Sequence, residues 1–297
     1  MFSEFKGTSL LKFVEYFNSD EVCLAYLEKH KHAAEFQCKK CAHTHFWQGK
    51  NFSRVCKSCR YSESVTANTL FHKVKFGLRK AFHILFEMSA TTKSVSSIVM
   101  AQKYETTQKT AWLFMSKVRQ AMKSSGNHPL EGRCEVDELL IGGKRAGKTG
   151  RGAANKDKVV MAIEKQGETG VNRIYARQIA NFSTKEIRKI FDQHISPGAS
   201  IETDLWAAYK PLATEFALEQ QKSRPGENFN LMHRCIQQLK GWIRGIHHSV
   251  SSRHLQGYLD EFCFRFNRNK YKASIFDKLI QRMVIHQPMT KTMLASL

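Results

Sequence analysis

Proline is scarce in this 297-residue chain, at 5 residues beside 17 glycines, and acids are outnumbered, 26 Asp+Glu against 47 Lys+Arg. So little proline with 42% hydrophobic residues excludes wholesale disorder and a collagen-like repeat. No run approaches the roughly 18 unbroken apolar residues that a membrane helix needs. The opening MFSEFKGTSLLKFVEYF carries Glu4 and Glu15 where an export signal has an uncharged core. A soluble, unexported protein with no membrane partner is expected. The eight cysteines exclude a disulfide framework, because only four of them cluster. What is abundant is positive charge: a formal +21, with 13 His able to add more, predicts a polyanionic partner. The length suits two or three units of roughly 100 to 200 residues.

The clustered cysteines read Cys38-x-x-Cys41, fourteen residues, Cys56-x-x-Cys59. Each pair sits on a tight turn that aims two thiolates at one cation, and two such turns complete the tetrahedral sulfur shell of Zn²⁺. His43 or His45 could replace a Cys as ligand. Four thiolates leave no open position, so this zinc is structural. Between the pairs, Phe46, Trp47 and Phe52 alternate with polar residues and with Lys50 and Arg54, as in a small ribbon with one basic face. That face could touch DNA, while Trp47 and Phe52 serve equally well as the ribbon's own core. Cys23, Cys134, Cys235 and Cys263 lie among apolar neighbours and read as buried hydrophobes.

Residues 9–30 have helical periodicity broken at Asn18-Ser19-Asp20, where Ser19 or Asp20 can cap a second helix. Residues 78–122 read as three helices with short polar joints, like a helix-turn-helix unit. In that arrangement Gln108, Lys109 and Lys117 face DNA, and Trp112, Phe114 and Val118 form core; a plain three-helix spacer is the alternative. The Ser, Gly, Asn and Pro of residues 124–133 mark a boundary near 128. Strand-like runs follow at 133–143, 158–166 and 171–180, then a helix, a strand at 200–204 and a helix LWAAYKPLA. Three strands, a helix and a fourth strand is the order of an RNase H-like α/β sheet. The expected organisation is a helical lead-in (1–33), a zinc ribbon (34–76), a small all-α DNA-binding unit (77–127) and an RNase H-like domain (128–297).

Asp137 lies within the first strand of that domain and Asp204 closes the fourth. In an RNase H-like sheet those strands are neighbours, so the two carboxylates can hold a pair of Mg²⁺ ions for in-line phosphoryl displacement. An acid inside an apolar strand is costly unless paired or metal-bound, whereas Asp204 also suits a helix cap.

The order of ribbon, SVTANTLFHKVKFGLRKAF, KTAWLFMSKVRQAM, EVDELLIGGKRAGKTGRG, TDLWAAYKPL and HHSVSSRHLQGYLDEFCFRFNRN resembles the bacterial insertion-sequence transposases related to Merlin elements. The resemblance spans residues 19–270 or so, and EVDELLIGGK and the C-terminal block are its most specific parts. It implies a DDE-type enzyme of the cytoplasm and nucleoid that cuts and rejoins transposon-end and target DNA, as a homodimer or larger assembly. Asp137 and Asp204 match the first two acids of that family's triad. At the third, where the family often has Asn-x-x-Glu and then Lys seven residues on, this chain reads Asn230-Leu-Met-His233 and Lys240. Spacing seven puts His233 and Lys240 on one helical face. His233 favours Mn²⁺ over Mg²⁺, or acts through water. Gln238 is a reserve candidate, and Glu215, Glu219 and Glu227 read as solvated. A DNA-binding protein that has kept the fold and lost catalysis is the alternative.

Residues 142–149 also satisfy the phosphate-loop pattern, but Gly150-Arg151-Gly152 and then a strand follow where that pattern requires a helix. Lys144, Arg145, Lys148 and Arg151 instead suit a hairpin tip gripping the DNA backbone, with Lys109 and Arg244 as further contacts. His247 and His248 have no Cys or acid at ligand spacing and read as surface histidines.

Overall fold

The computed structural model describes residues 5–32, 35–91, 93–142, 156–224, 226–247 and 250–295. They form two compact units, residues 1–121 with 270–297, and residues 122–269. Residues 270–297, read from the sequence as part of the C-terminal domain, pack with the N-terminal elements. Among the described residues no helix is long and apolar enough to cross a membrane.

In the N-terminal unit, helices α1 (Leu10–Tyr16) and α2 (Asp20–Lys31) start where serines can cap them: Ser9 Oγ accepts Lys12 N–H and Ser19 Oγ accepts Val22 N–H. Strands β1 (Phe46–Gln48), β2 (Arg54–Cys56) and β3 (Ser62–Glu63) form a three-stranded antiparallel sheet. Helices α3 (Leu78–Ala90), α4 (Ser97–Lys103) and α5 (Gln108–Met122) follow. Gly77, at φ +95°, turns the chain into α3, and Asp20 Oδ1 accepts the Arg79 amide at 2.6 Å, so a carboxylate from α2 caps α3. The turn into α5 holds Glu105 in the left-handed region, and Thr107 Oγ1 accepts Thr110 N–H at 3.2 Å. The core is aromatic. Phe13 stacks on Phe86 at 4.1 Å and meets Phe17 and, from the C-terminal helix Ile275–Ile285, Phe276.

The C-terminal unit is built on β4 (Arg133–Ile141), β5 (Asp157–Gln166), β6 (Gly170–Ile179), β7 (Ser200–Thr203) and β8 (Ala217–Gln220), with helices α6 (Thr184–His194), α7 (Asn230–Ile246) and α8 (Ser252–Phe266). The mixed sheet runs β6-β5-β4-β7-β8, with β4, β5 and β6 antiparallel in turn and β7 and β8 parallel to β4. The sequence analysis did not anticipate β8. Period-two alternation divides each central strand between two cores: Val159, Met161 and Ile163 pack with α7 and α8, whereas Val160 and Ala162 pack with α6. Residues 207–214, expected as an α-helix, form a 3₁₀ helix, because Pro211 has no N–H for an α-helical ladder.

Candidate active site

The parallel pairing of β4 and β7 ends at Val136 opposite Thr203, so the next residues, Asp137 and Asp204, emerge side by side. Local hydrogen bonds fix both carboxylates. Asp137 Oδ1 accepts the Glu138 amide at 2.8 Å, and Asp204 Oδ1 accepts the Trp206 amide at 2.9 Å. From β8, Gln220 Nε2 donates to the carbonyls of Asp204 and Trp206 at 2.9 and 3.0 Å, which ties the exit from β7 to its neighbour.

A third carboxylate joins them. Asp137, Glu138 and Asp204 each offer an oxygen within 4.8 Å of the other two. Sequence reasoning missed Glu138, which alternation assigns to the opposite face of β4 from Asp137, beside Val136 and the α6 core. The usable signal was an acid at an inward position of a strand covered on both faces. The fully buried Tyr209 lies against it: burial, then the charges of Glu138, Asp137 and Asp204, push that phenol far above its ordinary value. Three carboxylates this close repel one another unless cations neutralise them, and oxygen donors of this kind fit Mg²⁺ or Mn²⁺.

A cavity of about 440 Å³ opens over Asp137 and Glu138, lined also by Lys156, His233, Gln237 and Lys240 among others. His233 and Lys240 therefore face one space from α7, as their spacing predicts. The set of mutually close donors contains Glu138 and not His233. Gln238 is exposed and does not line the cavity. Lys240 is half-buried, and burial, with the charges of Lys156 and Arg244, lowers its amine while Asp137 opposes the shift. Arg244 is exposed, its Nε donating to the Lys240 carbonyl at 3.2 Å. Lys144, Arg145, Lys148 and Arg151 lie outside the described residues, as do His248 and most of the phosphate-loop pattern. Glu215 is exposed and pairs with Arg188; Glu219 and Glu227 are exposed too.

Helix α7 owes its position to a residue the sequence analysis passed over. Its first turn follows Phe229, in the left-handed region at φ +54° and with no side-chain acceptor to serve as cap. Glu135, two residues before Asp137 and 2% exposed, supplies the acceptor from β4. Lys165 on β5 pairs with that carboxylate at 3.0 Å and with Glu202 at 3.5 Å.

In the N-terminal unit the four cysteines converge, Cys38 to Cys59 and Cys41 to Cys56 each at 3.6 Å between sulfurs. A tetrahedral zinc with bonds of about 2.3 Å separates its sulfurs by about 3.8 Å, so the cage fits that ion. Neither His43 nor His45 belongs to this cluster. Cys23, Cys134, Cys235 and Cys263 are buried. Two expectations for the ribbon change. Trp47 is 41% exposed, with Arg60 4.4 Å from its ring centroid, so it is not core. Arg54 is buried, lies 4.3 Å from the Phe46 ring and donates to Glu28, so it is not part of a basic outer face. Salt bridges and aromatic contact draw it inward. On α5, Gln108 and Lys109 are exposed, Trp112 is half-buried, and Phe114 and Val118 are buried. Lys117 is not on the exposed face: it is 9% exposed.

Residues 129–267 match the family described as ISXO2-like transposase domain. A crystal structure of a pre-cleavage Mos1 transpososome is also similar, with 8% identity over 67% of this chain and 76% of that one and a TM-score of 0.25. The assignment rests on the sequence match, since a structural likeness at that level adds nothing to it. No curated protein is significantly similar to the chain in sequence. The ISXO2-like transposase domain over residues 129–267 supports an insertion-sequence transposase of the DDE type, and three acids gather there where the pairing of β4 with β7 ends.

Proposed function

We propose that the C-terminal unit is an RNase H-like catalytic domain that cuts DNA at the ends of a mobile element and joins the freed strand to target DNA. The observation that carries this reading is the convergence of Asp137, Glu138 and Asp204 where the parallel pairing of β4 with β7 ends. The sheet order, three antiparallel strands followed by two parallel to the first, supports the fold assignment. Bound there, Mg²⁺ or Mn²⁺ supplies activation of the attacking oxygen and charge relief at the leaving one. The chain's own residues do the rest. Asp137 and Asp204 hold the ions, with Glu138 or His233 completing the donor set. Lys240 and Lys156 meet the phosphodiester across the cavity. Half-burial makes Lys240 a stronger partner for phosphate than a fully solvated lysine, because water screens it less.

In the N-terminal unit, Cys38, Cys41, Cys56 and Cys59 hold a structural Zn²⁺, and α3 to α5 form a helix-turn-helix-like unit whose exposed Lys109 contacts duplex DNA. Arg244, Lys144, Arg145, Lys148 and Arg151 of the C-terminal unit are further DNA contacts. The acting form is a homodimer or larger assembly on two ends, in the cytoplasm and nucleoid. A second reading, a DNA-binding protein without catalysis, is favoured by His233, which stands where the family often has Glu.

The test is strand cleavage of labelled element-end duplex in Mg²⁺ or Mn²⁺, with metal analysis of the same protein. The wild type should cleave and carry one zinc per chain. Asp137→Asn and Asp204→Asn should bind without cleaving, and Cys56→Ser should lose the zinc. Wild-type binding with no cleavage under either ion refutes the enzymatic reading in favour of the second one.

A further inference from the structure

Within the N-terminal unit a cavity of about 290 Å³ lies between residues 73–76 and α5. Lys73, Lys75 and Lys117 line it together with Thr110, Phe76 and Phe114, and no acid is among the lining residues. The rings of Phe76 and Phe114 meet edge-on at 5.6 Å and give it an apolar wall. Lys73 sits in the left-handed region at φ +56°, a backbone conformation rare outside glycine and frequent at functional sites.

Lys117 is the odd member. It is 91% buried, yet among the described residues its Nζ meets only the His72 carbonyl, at 3.5 Å, and no carboxylate pairs with it. Burial lowers its amine, with no neighbouring acid to raise it. Removing an ammonium from water without a counter-charge opposes folding, and a methionine of similar shape would fill the same space without that cost. A sequence that keeps the lysine breaks a packing rule, and such breaks concentrate at binding sites. Three point charges around an apolar wall, without an arginine fork, match a compact oxyanion of the phosphate type.

We propose that the cavity between residues 73–76 and α5 binds a phosphate oxyanion through Lys73, Lys75 and Lys117, and that in the working complex this is a backbone phosphate of duplex DNA. The second half rests on the DNA-binding reading above; the first does not. It places a backbone contact beside the exposed face of α5 rather than on it, and it gives the buried Lys117 its missing counter-charge.

The full-length chain is compared with Lys117→Met, Lys117→Gln and the exposed pair Lys73→Met/Lys75→Met. Melting is followed with and without inorganic phosphate, and duplex binding is followed between 50 and 200 mM salt. Phosphate should raise the melting temperature of the wild type and not of Lys117→Met. Without any anion, Lys117→Met should melt higher than the wild type while binding duplex about tenfold more weakly, with a salt slope shallower by about one. Gain of stability with loss of binding is a combination that a merely structural lysine does not give. If Lys117→Met fails to fold, the Lys73→Met/Lys75→Met protein, altered only at exposed positions, should still lose affinity and salt slope. Unchanged phosphate response and unchanged duplex affinity in the variants overturn the proposal. A phosphate response that depends on Lys117 with unchanged duplex affinity upholds the oxyanion site and overturns its assignment to DNA. Absence of any duplex binding by the wild type refutes the DNA reading and leaves the phosphate arm to decide the site.

Discussion

The carboxylate of Glu135 accepts the backbone amide of Met232 at 3.1 Å, so a strand side chain caps the helix that carries His233 and Lys240. Because Asp137 lies two residues along the same strand, this one bond fixes α7 relative to the acids. Glu135→Ala leaves an orphan amide and a largely buried Lys165 without one of its two carboxylates. Removing one partner of a buried pair costs about 3 kcal/mol or more. Urea denaturation should show a loss of that size, with cleavage falling even at low temperature, where the chain is still folded. Glu135→Gln keeps an acceptor and should recover part of the activity; equal damage by both substitutions would show that charge, not capping, is what matters.

The third donor can be identified by comparing Glu138→Gln with His233→Ala. Proximity to Asp137 and Asp204 favours Glu138, so Glu138→Gln should lower cleavage at least about a hundredfold, a barrier change near 3 kcal/mol. His233→Ala should cost less and change the preference between Mn²⁺ and Mg²⁺. If the histidine variant is the dead one, the family's third position has kept its role despite the change of residue.

Asp277 in the N-terminal unit accepts Tyr26 Oη–H at 2.5 Å, and His30 Nε2 lies 2.9 Å from the same carboxylate oxygen. Burial alone would raise its carboxyl, but hydrogen bonds from His30 and Tyr26 outweigh that and hold it below the usual range. A carboxyl lowered on folding stabilises the fold above its unfolded value, about 3.9, and that contribution disappears as pH falls through the lower folded value. Acid unfolding of this unit should therefore be steeper in the wild type than in Asp277→Asn, and the variant should be the less stable of the two near pH 7. Parallel acid-unfolding curves would remove Asp277 from the account.

Strand β6 is an edge of the sheet, yet α8 and the residue after it close part of that edge. Asn267 accepts from Ile174 N–H at 2.8 Å and donates to the Ile174 carbonyl at 3.0 Å, while Gln256 accepts from Gln178 N–H at 2.8 Å and donates to the Ala176 carbonyl at 3.3 Å. Amide side chains here occupy the bonds another strand would make. Asn267→Ala should raise the aggregation rate on mild heating, read by light scattering, more than Asn172→Ala does.

Local pattern made much of this legible. Four cysteines at knuckle spacing, a helix cap at Ser19 or Asp20, which the structure gives to Ser19, and the apolar runs of β4 to β6 each depend on neighbours within a few residues, and each is legible locally. The failures share another cause. Trp47, Arg54 and Lys117 were sorted by residue type, while their exposure is set by partners that arrive from elsewhere, such as Glu28 for Arg54. Short β8 carries too few residues to show a period.

By itself, the sequence determined the kind of molecule: a strongly basic chain with four clustered cysteines and an acid inside an apolar strand, in an order that resembles insertion-sequence transposases. Strand order already suggested that Asp137 and Asp204 meet; tertiary structure decided that Glu138 joins them. Asp137 and Asp204 become neighbours because β7 pairs in parallel with β4, Glu138 lies close to both, and Glu135 caps the helix that carries His233 and Lys240. Spacing along the chain carries no information about such contacts, since strand pairing is selected by the burial of whole faces and not by the residues that end up sharing a charge.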